Sequence, residues 1–218
     1  MNKKQAFGLL FLFTISVKLI AQSDEDIFEA NRLKKIFTED RVAATLAEEE
    51  YSFEKSRSED KLPVVSVTEF TGINFVALRE RAGIQYFDFY NSFSKINSFK
   101  QLEKIKGAFG VKRNYNVGYA IDRSATGSDF FSDDSRVKYF NIGFSGYGDA
   151  TRVETEKKIF DSKYFTSLYF HTYFPVKEKI IRIKVPDWLV IDFREFNFAG
   201  YKIEKKKNRM GACSSYEG

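Results

Sequence analysis

The clearest pattern in this chain is the alternation of apolar and polar residues within the segment 164–207. In the run 181–185, Ile and Val fall on one face and Arg and Lys on the other, as in a half-buried strand. A Pro-Asp dipeptide at 186–187 interrupts the run, because proline cannot donate to a ladder and Asp favours turns. Alternation resumes at 189–194 and 201–204. The pattern predicts consecutive antiparallel strands separated by turns.

An aromatic segment, 164–174, precedes these strands. Leu168, Phe170 and Phe174 fall on one of its faces, and the other face carries Phe, Tyr and His, so neither is very polar. A strand with two largely apolar faces is typical of a central strand or one covered on both sides. We therefore expect a strand at 164–174 that is either central or covered on both sides.

Upstream, the spacing of apolar residues predicts a helical segment within 23–39, followed by further strands. The predicted strands are 46–54, 64–70, 73–78, 84–90, 111–121, 137–144 and 152–160. Two stretches, 42–53 and 91–106, are ambiguous, because the apolar spacing at 43–47 and at 93–105 also fits a helix. We expect a charged turn at 55–61 and a glycine-rich hairpin turn at 143–149. The predicted fold is a mainly β, antiparallel β-sandwich-like domain with a short N-terminal helix.

The first 22 residues have the pattern of a secretory signal peptide. Two lysines precede a short apolar core, and a plausible cleavage region ends at Ala21 or Gln22. Removing 1–22 lowers the formal net charge from +5 to +2. The remaining charges of both signs alternate, so no basic face of the kind that binds nucleic acid is expected. We predict an exported protein, periplasmic or envelope-associated, with no membrane span after cleavage.

Composition supports one domain of β type. The chain has 218 residues, 43% hydrophobic residues and 17% aromatic residues, which suffices for a sizeable core and favours a sheet protein. A single Cys excludes an internal disulfide. We expect this β-rich domain to span about 40–207.

Three short stretches in the C-terminal half carry a resemblance to a known family. Residues 173–176 (YFPV), 186–189 (PDWL) and 197–201 (NFAGY) are similar to segments of the domain of unknown function that precedes the transglutaminase-like domain in exported Gram-negative proteins. The similarity is good over 135–207 and fair over 40–134. It favours strand from Leu46 onward, and implies an accessory β-domain without catalytic residues or cofactors.

The resemblance also implies more chain beyond Lys207 than the sequence provides. The segment 208–218 lacks periodicity, so we expect a disordered, aberrant tail and a truncated product. The transglutaminase-like Cys-His-Asp site is absent, because the chain's single His171 precedes its single Cys213. A residual hydrolase or acyltransferase built on these two residues is a minor alternative, and two such residues cannot form a zinc site alone. The Asp- and Ser-rich loop at 128–135 matches no calcium loop and is interpreted as a polar turn.

Exposed aromatic residues offer a second functional hypothesis, a glycan- or peptide-binding module. The candidate binding residues are Tyr169, His171, Tyr173 and Trp188. The simpler interpretation packs His171 among its aromatic neighbours and anchors the 186–189 turn with Trp188. The leading hypothesis is a non-catalytic interaction domain, whose partner is a transglutaminase-like domain, an envelope protein or a glycan.

Overall fold

The structure, a computed structural model, describes a large part of the chain. The residues described are 24–106, 112–125, 134–194, 196, 206–210 and 213–217. The predicted signal peptide and the segment 197–201 lie outside them. Within this part of the chain, no helix is long and apolar enough to cross a membrane.

The described residues form one α-helix, eleven strands and a 3-10 helix at Ser162–Tyr164. The helix is α1 (Asp24–Ile36), which confirms the helical prediction within 23–39. The strands are β1 (Val42–Arg57), β2 (Pro63–Ala77), β3 (Gly83–Tyr90), β4 (Ser94–Lys106), β5 (Lys112–Asn116), β6 (Ile121–Ser124), β7 (Arg136–Gly143), β8 (Ala150–Ile159), β9 (Lys179–Pro186), β10 (Lys206–Met210) and β11 (Cys213–Glu217).

The strands form two sheets, and this confirms the predicted mainly β, sandwich-like class. The larger sheet has the order β10-β11-β9-β1-β2-β8-β4-β5, and the smaller has the order β3-β7-β6. Neighbours are antiparallel except β1 and β9, which run parallel. The predicted hairpin of β1 and β2 is present and is longer than expected, pairing Val42 with Ala77 at one end and Arg57 with Pro63 at the other.

The main core lies between the two sheets. The large sheet contributes Phe75 and Val153, and the small sheet contributes Tyr86, Phe140 and Ile142, all buried. The ring of Phe75 also meets that of Phe174 edge-on, with centroids 5.0 Å apart. Along β2, β3 and β7 the inward residues have the same parity, so the period-two pattern sets which face is buried, whereas in β1 the parity changes at an irregularity between Ala44 and Leu46.

On the opposite face of the large sheet, α1 covers one end. Ala30 and Leu33 pack against Ala43, Val76 and Leu78, and all five are buried. The helix therefore uses a short apolar stripe to cover residues that would otherwise face solvent.

The prediction of a strand at 164–174 is wrong. Residues 162–164 form one 3-10 turn, and the segment then runs without strand structure to 178. Its backbone pairs with β1 in an isolated parallel bridge between Ala44 and Val176. Its apolar residues pack on a second core cluster that contains Tyr51 and Ile181. One face is apolar because it covers that cluster, whereas Tyr169, His171 and Tyr173 on the other face are exposed.

The strand predicted at 189–194 is also absent. Asp187 and Trp188 form a turn, with the Leu189 N–H donating to the Pro186 carbonyl at 3.0 Å, and 189–194 then continues without ladder pairing. Leu189 and Ile191 pack against the second cluster. Their alternation reflects contact with that cluster, not membership of a sheet.

Elsewhere the ambiguous stretches resolve as strands. Residues 42–47 begin β1, and 94–106 form β4, so the helical interpretations are wrong. The strands predicted at 64–70 and 73–78 are one strand, β2, and the strand predicted at 111–121 ends at Asn116. Cross-strand pairing, which local spacing does not encode, decides these cases.

Two predicted connections differ in the structure. The turn at 143–149 carries the chain from β7 in the small sheet to β8 in the large one, so it is not a hairpin turn. The tail predicted to be disordered contains β10 and β11, which form a hairpin and extend the large sheet through pairing of Cys213 with Pro186. The open edge of β9 supplies the backbone groups for this pairing.

Candidate functional site

A cleft of about 760 Å³ opens between the large sheet, the strand β3 and the segment 164–174. Charged residues from the strands form its floor, and aromatic residues from β3 and the segment 164–174 form its rim. We call Glu49, Glu69, Asp88, Lys157 and Lys179 the charged floor. We call Phe87, Tyr169, His171 and Tyr173 the aromatic rim.

The charged floor lies on the buried side of the sheets because of strand parity. Glu69 is two residues from the buried Val67, and Lys157 is two residues from the buried Thr155, so each shares its neighbour's face. Glu69 and Lys157 are also direct partners in the ladder of β2 and β8. Asp88 reaches the same place from β3, two residues after the buried Tyr86.

Two lysines hold the carboxylates in place. The Nζ of Lys157 lies 2.9 Å from Asp88 Oδ1 and 3.1 Å from Glu69 Oε2. The Nζ of Lys179 lies 2.7 Å from Glu49 Oε1 and donates to the Tyr169 carbonyl at 2.5 Å. Lys179 therefore connects the segment 164–174 to the floor of the cleft.

Burial changes the proton affinities of the floor. Burial raises the pKa of Glu69, and the neighbouring carboxylates Asp88 and Glu49 add to this while Lys157 opposes it. Burial disfavours the charged form of Lys157, but Asp88 and Glu69 outweigh it and raise the pKa of the ammonium. Lys157 is therefore charged throughout the physiological range, and the floor is rich in hydrogen-bond acceptors.

A tyrosine pair frames the floor. The Tyr51 hydroxyl donates to Glu49 Oε2 at 3.0 Å, and burial together with Glu69 and Glu49 raises the pKa of this phenol. At the rim, burial raises the pKa of Tyr173 to about 12. Both phenols are therefore neutral hydrogen-bonding groups at physiological pH.

Tyr173 also forms hydrogen bonds with the backbone of β3. Its hydroxyl donates to the Gln85 carbonyl and accepts from the Phe87 N–H, each at 3.4 Å. Its ring stacks on that of Phe87, with centroids 4.7 Å apart and an angle of 16°. This one side chain thus forms hydrogen bonds with an N–H and a carbonyl on the cleft side of β3.

The structure brings three of the four candidate binding residues together. Tyr169, His171 and Tyr173 all line the cleft, and Tyr169 is 69% exposed. Trp188 does not line it. Trp188 lies in the turn after β9, with the Lys55 ammonium 5.0 Å from its ring centroid.

Sequence reasoning missed the charged floor. Its signal is a charged residue at a position whose neighbours two places away are apolar or aromatic, as for Glu49 between Ala47 and Tyr51. Within the acidic run 48–50, alternation turns Glu49 inward, while Glu48 faces the other side of the sheet and pairs with Arg152 at 2.6 Å.

Other candidate chemistry stays unassigned. Cys213 lies in β11, and its side chain is outside the described part, so the pairing of Cys213 with His171 stays a hypothesis. Of the loop at 128–135, Asp134 is described and accepts a hydrogen bond from the Ser92 N–H at 2.6 Å. Among the described residues, no group of three acidic, His or Cys side chains is arranged to hold a metal ion.

Comparisons with known proteins identify no family. No family model and no curated protein matches the chain. A solved structure of a "putative protease" from Parabacteroides distasonis is similar with a TM-score of 0.47 and 12% identity, covering 81% of this chain and 34% of that one. An M1 zinc metallopeptidase from Deinococcus radiodurans is similar with a TM-score of 0.41 and 7% identity, covering 81% and 38%. The chain spans less than two fifths of the length of these two proteins.

Proposed function

We propose that this chain is a non-catalytic interaction domain of an exported protein and that it binds a polar glycan or peptide in the cleft. The observation that carries the proposal is the cleft itself, which combines a charged floor with an aromatic rim. Ligand sites typically pair apolar and aromatic walls with a few fixed polar groups. Tyrosine rings at the rim offer faces for stacking, and the carboxylates accept hydrogen bonds from a ligand.

The wider role is that of an accessory domain beside a transglutaminase-like domain. The accessory role rests on the resemblance of residues 135–207 to the domain that precedes the transglutaminase-like domain. The proposed export of the protein rests on the signal-peptide pattern of residues 1–22. An accessory domain that captures an envelope glycan or peptide would hold a catalytic domain near its substrate by raising the local concentration.

Calorimetric titration of the full chain with soluble glycans and peptides tests the proposal. Tyr169→Ala removes a rim ring that is largely exposed, so we expect the fold to persist and the affinity to fall about fivefold, from a loss of about 1 kcal/mol. Trp188→Phe is the matched control, because Trp188 lies outside the cleft. Absence of binding, or equal losses in the two variants, would contradict a binding site in the cleft.

A further inference from the structure

We propose that the occupant of the cleft is an extended peptide that adds a strand to β3, parallel to it, and places a basic side chain on the charged floor. This inference rests on the proposed function and narrows it to one class of partner. It follows from the backbone of β3, the position of the Tyr173 hydroxyl and the charge of the floor.

The strand β3 is an edge strand whose open side faces the cleft. It is the terminal strand of the small sheet and, among the described strands, pairs with β7 alone. Its residues Phe87, Asp88 and Phe89 line the cleft. In an antiparallel pair, alternate residues direct both backbone groups away from the partner strand, so an edge strand presents a row of N–H and C=O groups to an incoming peptide.

The Tyr173 hydroxyl marks where a residue of that peptide would lie. In a parallel ladder, one residue donates its N–H to the carbonyl before its opposite residue and accepts from the N–H after it. The hydroxyl does both, to Gln85 and to Phe87, which flank Tyr86. It therefore imitates one residue of a parallel strand placed opposite Tyr86.

Both bonds of this hydroxyl are long, at 3.4 Å, against about 2.9 Å for an ordinary N–H to carbonyl bond. A peptide main chain can replace them with two bonds of normal length and continue the ladder toward Phe89. Strand addition to an open edge is a common mode of peptide recognition, in which the main chain provides affinity and alternate side chains provide specificity.

The register of the added strand sets which of its side chains reach the floor. Opposite residues in neighbouring strands share a face, so the residue opposite Tyr86 and the next but one, opposite Asp88, point toward the large sheet. These are also the residues whose own N–H groups bond to β3. The same residues of the peptide thus make the backbone bonds and meet the charged floor.

The floor is complementary to a cation. With all groups ionised, its three carboxylates and two ammoniums carry a net charge of −1. Each carboxylate accepts about four hydrogen bonds, so acceptor capacity remains after the two lysines are counted. A Lys or Arg side chain of the peptide supplies donors and balances the charge, whereas an acidic side chain adds to the repulsion.

Titration calorimetry with defined peptides tests this inference. The probe is acetyl-(Thr-Lys)4-amide, and its partners are acetyl-(Thr-Glu)4-amide and two forms of the Lys peptide, N-methylated at every Lys or at every Thr. We expect the Lys peptide to bind at least tenfold more tightly than the Glu peptide. Methylation at Lys should weaken binding at least tenfold, and methylation at Thr should change it little, because only the floor-facing residues donate to β3.

Protein variants probe the same contacts from the other side. Asp88→Asn should weaken the Lys peptide about tenfold, whereas Glu154→Gln, on the opposite face of the large sheet, should leave it unchanged. Tyr173→Phe should bind the Lys peptide at least as tightly as the unchanged chain, because the peptide no longer displaces a hydroxyl. If Asp88→Asn fails to fold, the comparison of Lys and Glu peptides still tests the charge of the floor.

The outcomes separate the inference from the proposed function. Equal binding of Lys and Glu peptides, or equal effects of the two methylations, would overturn strand addition with a basic side chain. Binding of a chito-oligosaccharide that Tyr169→Ala weakens, with no binding of any peptide, would overturn the inference and leave a binding cleft. No binding of any of these probes would overturn both.

Discussion

Replacing Lys157 by Met is the sharpest test of the charged floor. The substitution keeps the volume and removes the one ammonium that lies between Glu69 and Asp88, at 3.1 and 2.9 Å. All three side chains are mostly buried, between 15% and 17% exposed, so water replaces little of the lost interaction. The variant leaves two buried carboxylates close to each other without a counterion.

The expected loss of unfolding free energy is several kcal/mol. At these distances and an effective dielectric constant of about 20, each contact represents about 5 kcal/mol of Coulomb energy before desolvation. The cost of burying three ions offsets most of this gain. Removing one partner of a buried ion pair nonetheless costs about 3–5 kcal/mol, because the remaining charge stays buried. We expect a loss in that range at pH 7.5.

The loss should depend on pH in a defined direction. Without Lys157, the pKa of Glu69 in the folded protein rises further above its unfolded value of about 4, because the ammonium no longer opposes the effect of burial. A group whose folded pKa is raised contributes stability that is fully present below its unfolded pKa and is lost as pH rises through its folded pKa. The deficit of the variant should therefore be smaller at pH 5 than at pH 7.5.

Urea unfolding followed by circular dichroism at the two pH values measures this deficit. Lys158→Met is the matched control, because Lys158 is on the other face of β8 and pairs with Glu54 at 3.3 Å near the surface. Such a pair contributes less than about 1 kcal/mol. A loss in Lys157→Met no larger than in the control, or an equal loss at pH 5 and 7.5, would refute the reasoning.

Three further predictions concern the core, the outer face of the sheet and the edge of β3. Phe75→Ala should lower the unfolding free energy by about 3–5 kcal/mol, because Phe75 is fully buried. Phe89→Ala, at an exposed ring, should cost less than about 1 kcal/mol, and denaturant unfolding of the two variants compares these losses. Burial raises the pKa of Glu48, but its partners Arg152 and Arg182 outweigh burial, so the net pKa is lowered. The stability that ionised Glu48 contributes is therefore present above its unfolded pKa and is lost as pH falls through its folded pKa. Glu48→Gln should therefore cost about 1–2 kcal/mol at pH 7 and less at pH 3 in the same assay. Tyr173→Phe should speed hydrogen exchange of the Phe87 amide, which donates to the Tyr173 hydroxyl; an unchanged rate would show that this bond does not protect the edge of β3.

Several elements could be predicted because their cause is local. The alternation at 181–185 does correspond to β9, with Ile181 and Ile183 buried and Arg182 on the other face. The helix α1 follows from its apolar spacing, and the hairpin of β1 and β2 follows from two alternating runs around a charged turn. Side-chain periodicity is a property of neighbouring residues, so it can be read without knowing what covers them.

The segment 164–174 shows where this reading fails. Its aromatic residues on both faces predict a strand that is central or covered on both sides, but Phe165 and Leu168 pack as a cover over the cluster around Tyr51. Apolar residues indicate burial, and they do not distinguish burial within a ladder from burial on top of one. Only the pairing of distant strands decides between the two.

The candidate site divides in the same way. The sequence by itself points to Tyr169, His171 and Tyr173 as exposed aromatic residues, and it selects Trp188 equally, although Trp188 lies elsewhere. It also determines, through parity, which charges share a face along each strand. The tertiary structure alone decides that Glu69, Asp88 and Lys157 meet from three strands under one rim, because burial and ion pairing depend on residues far apart in the chain.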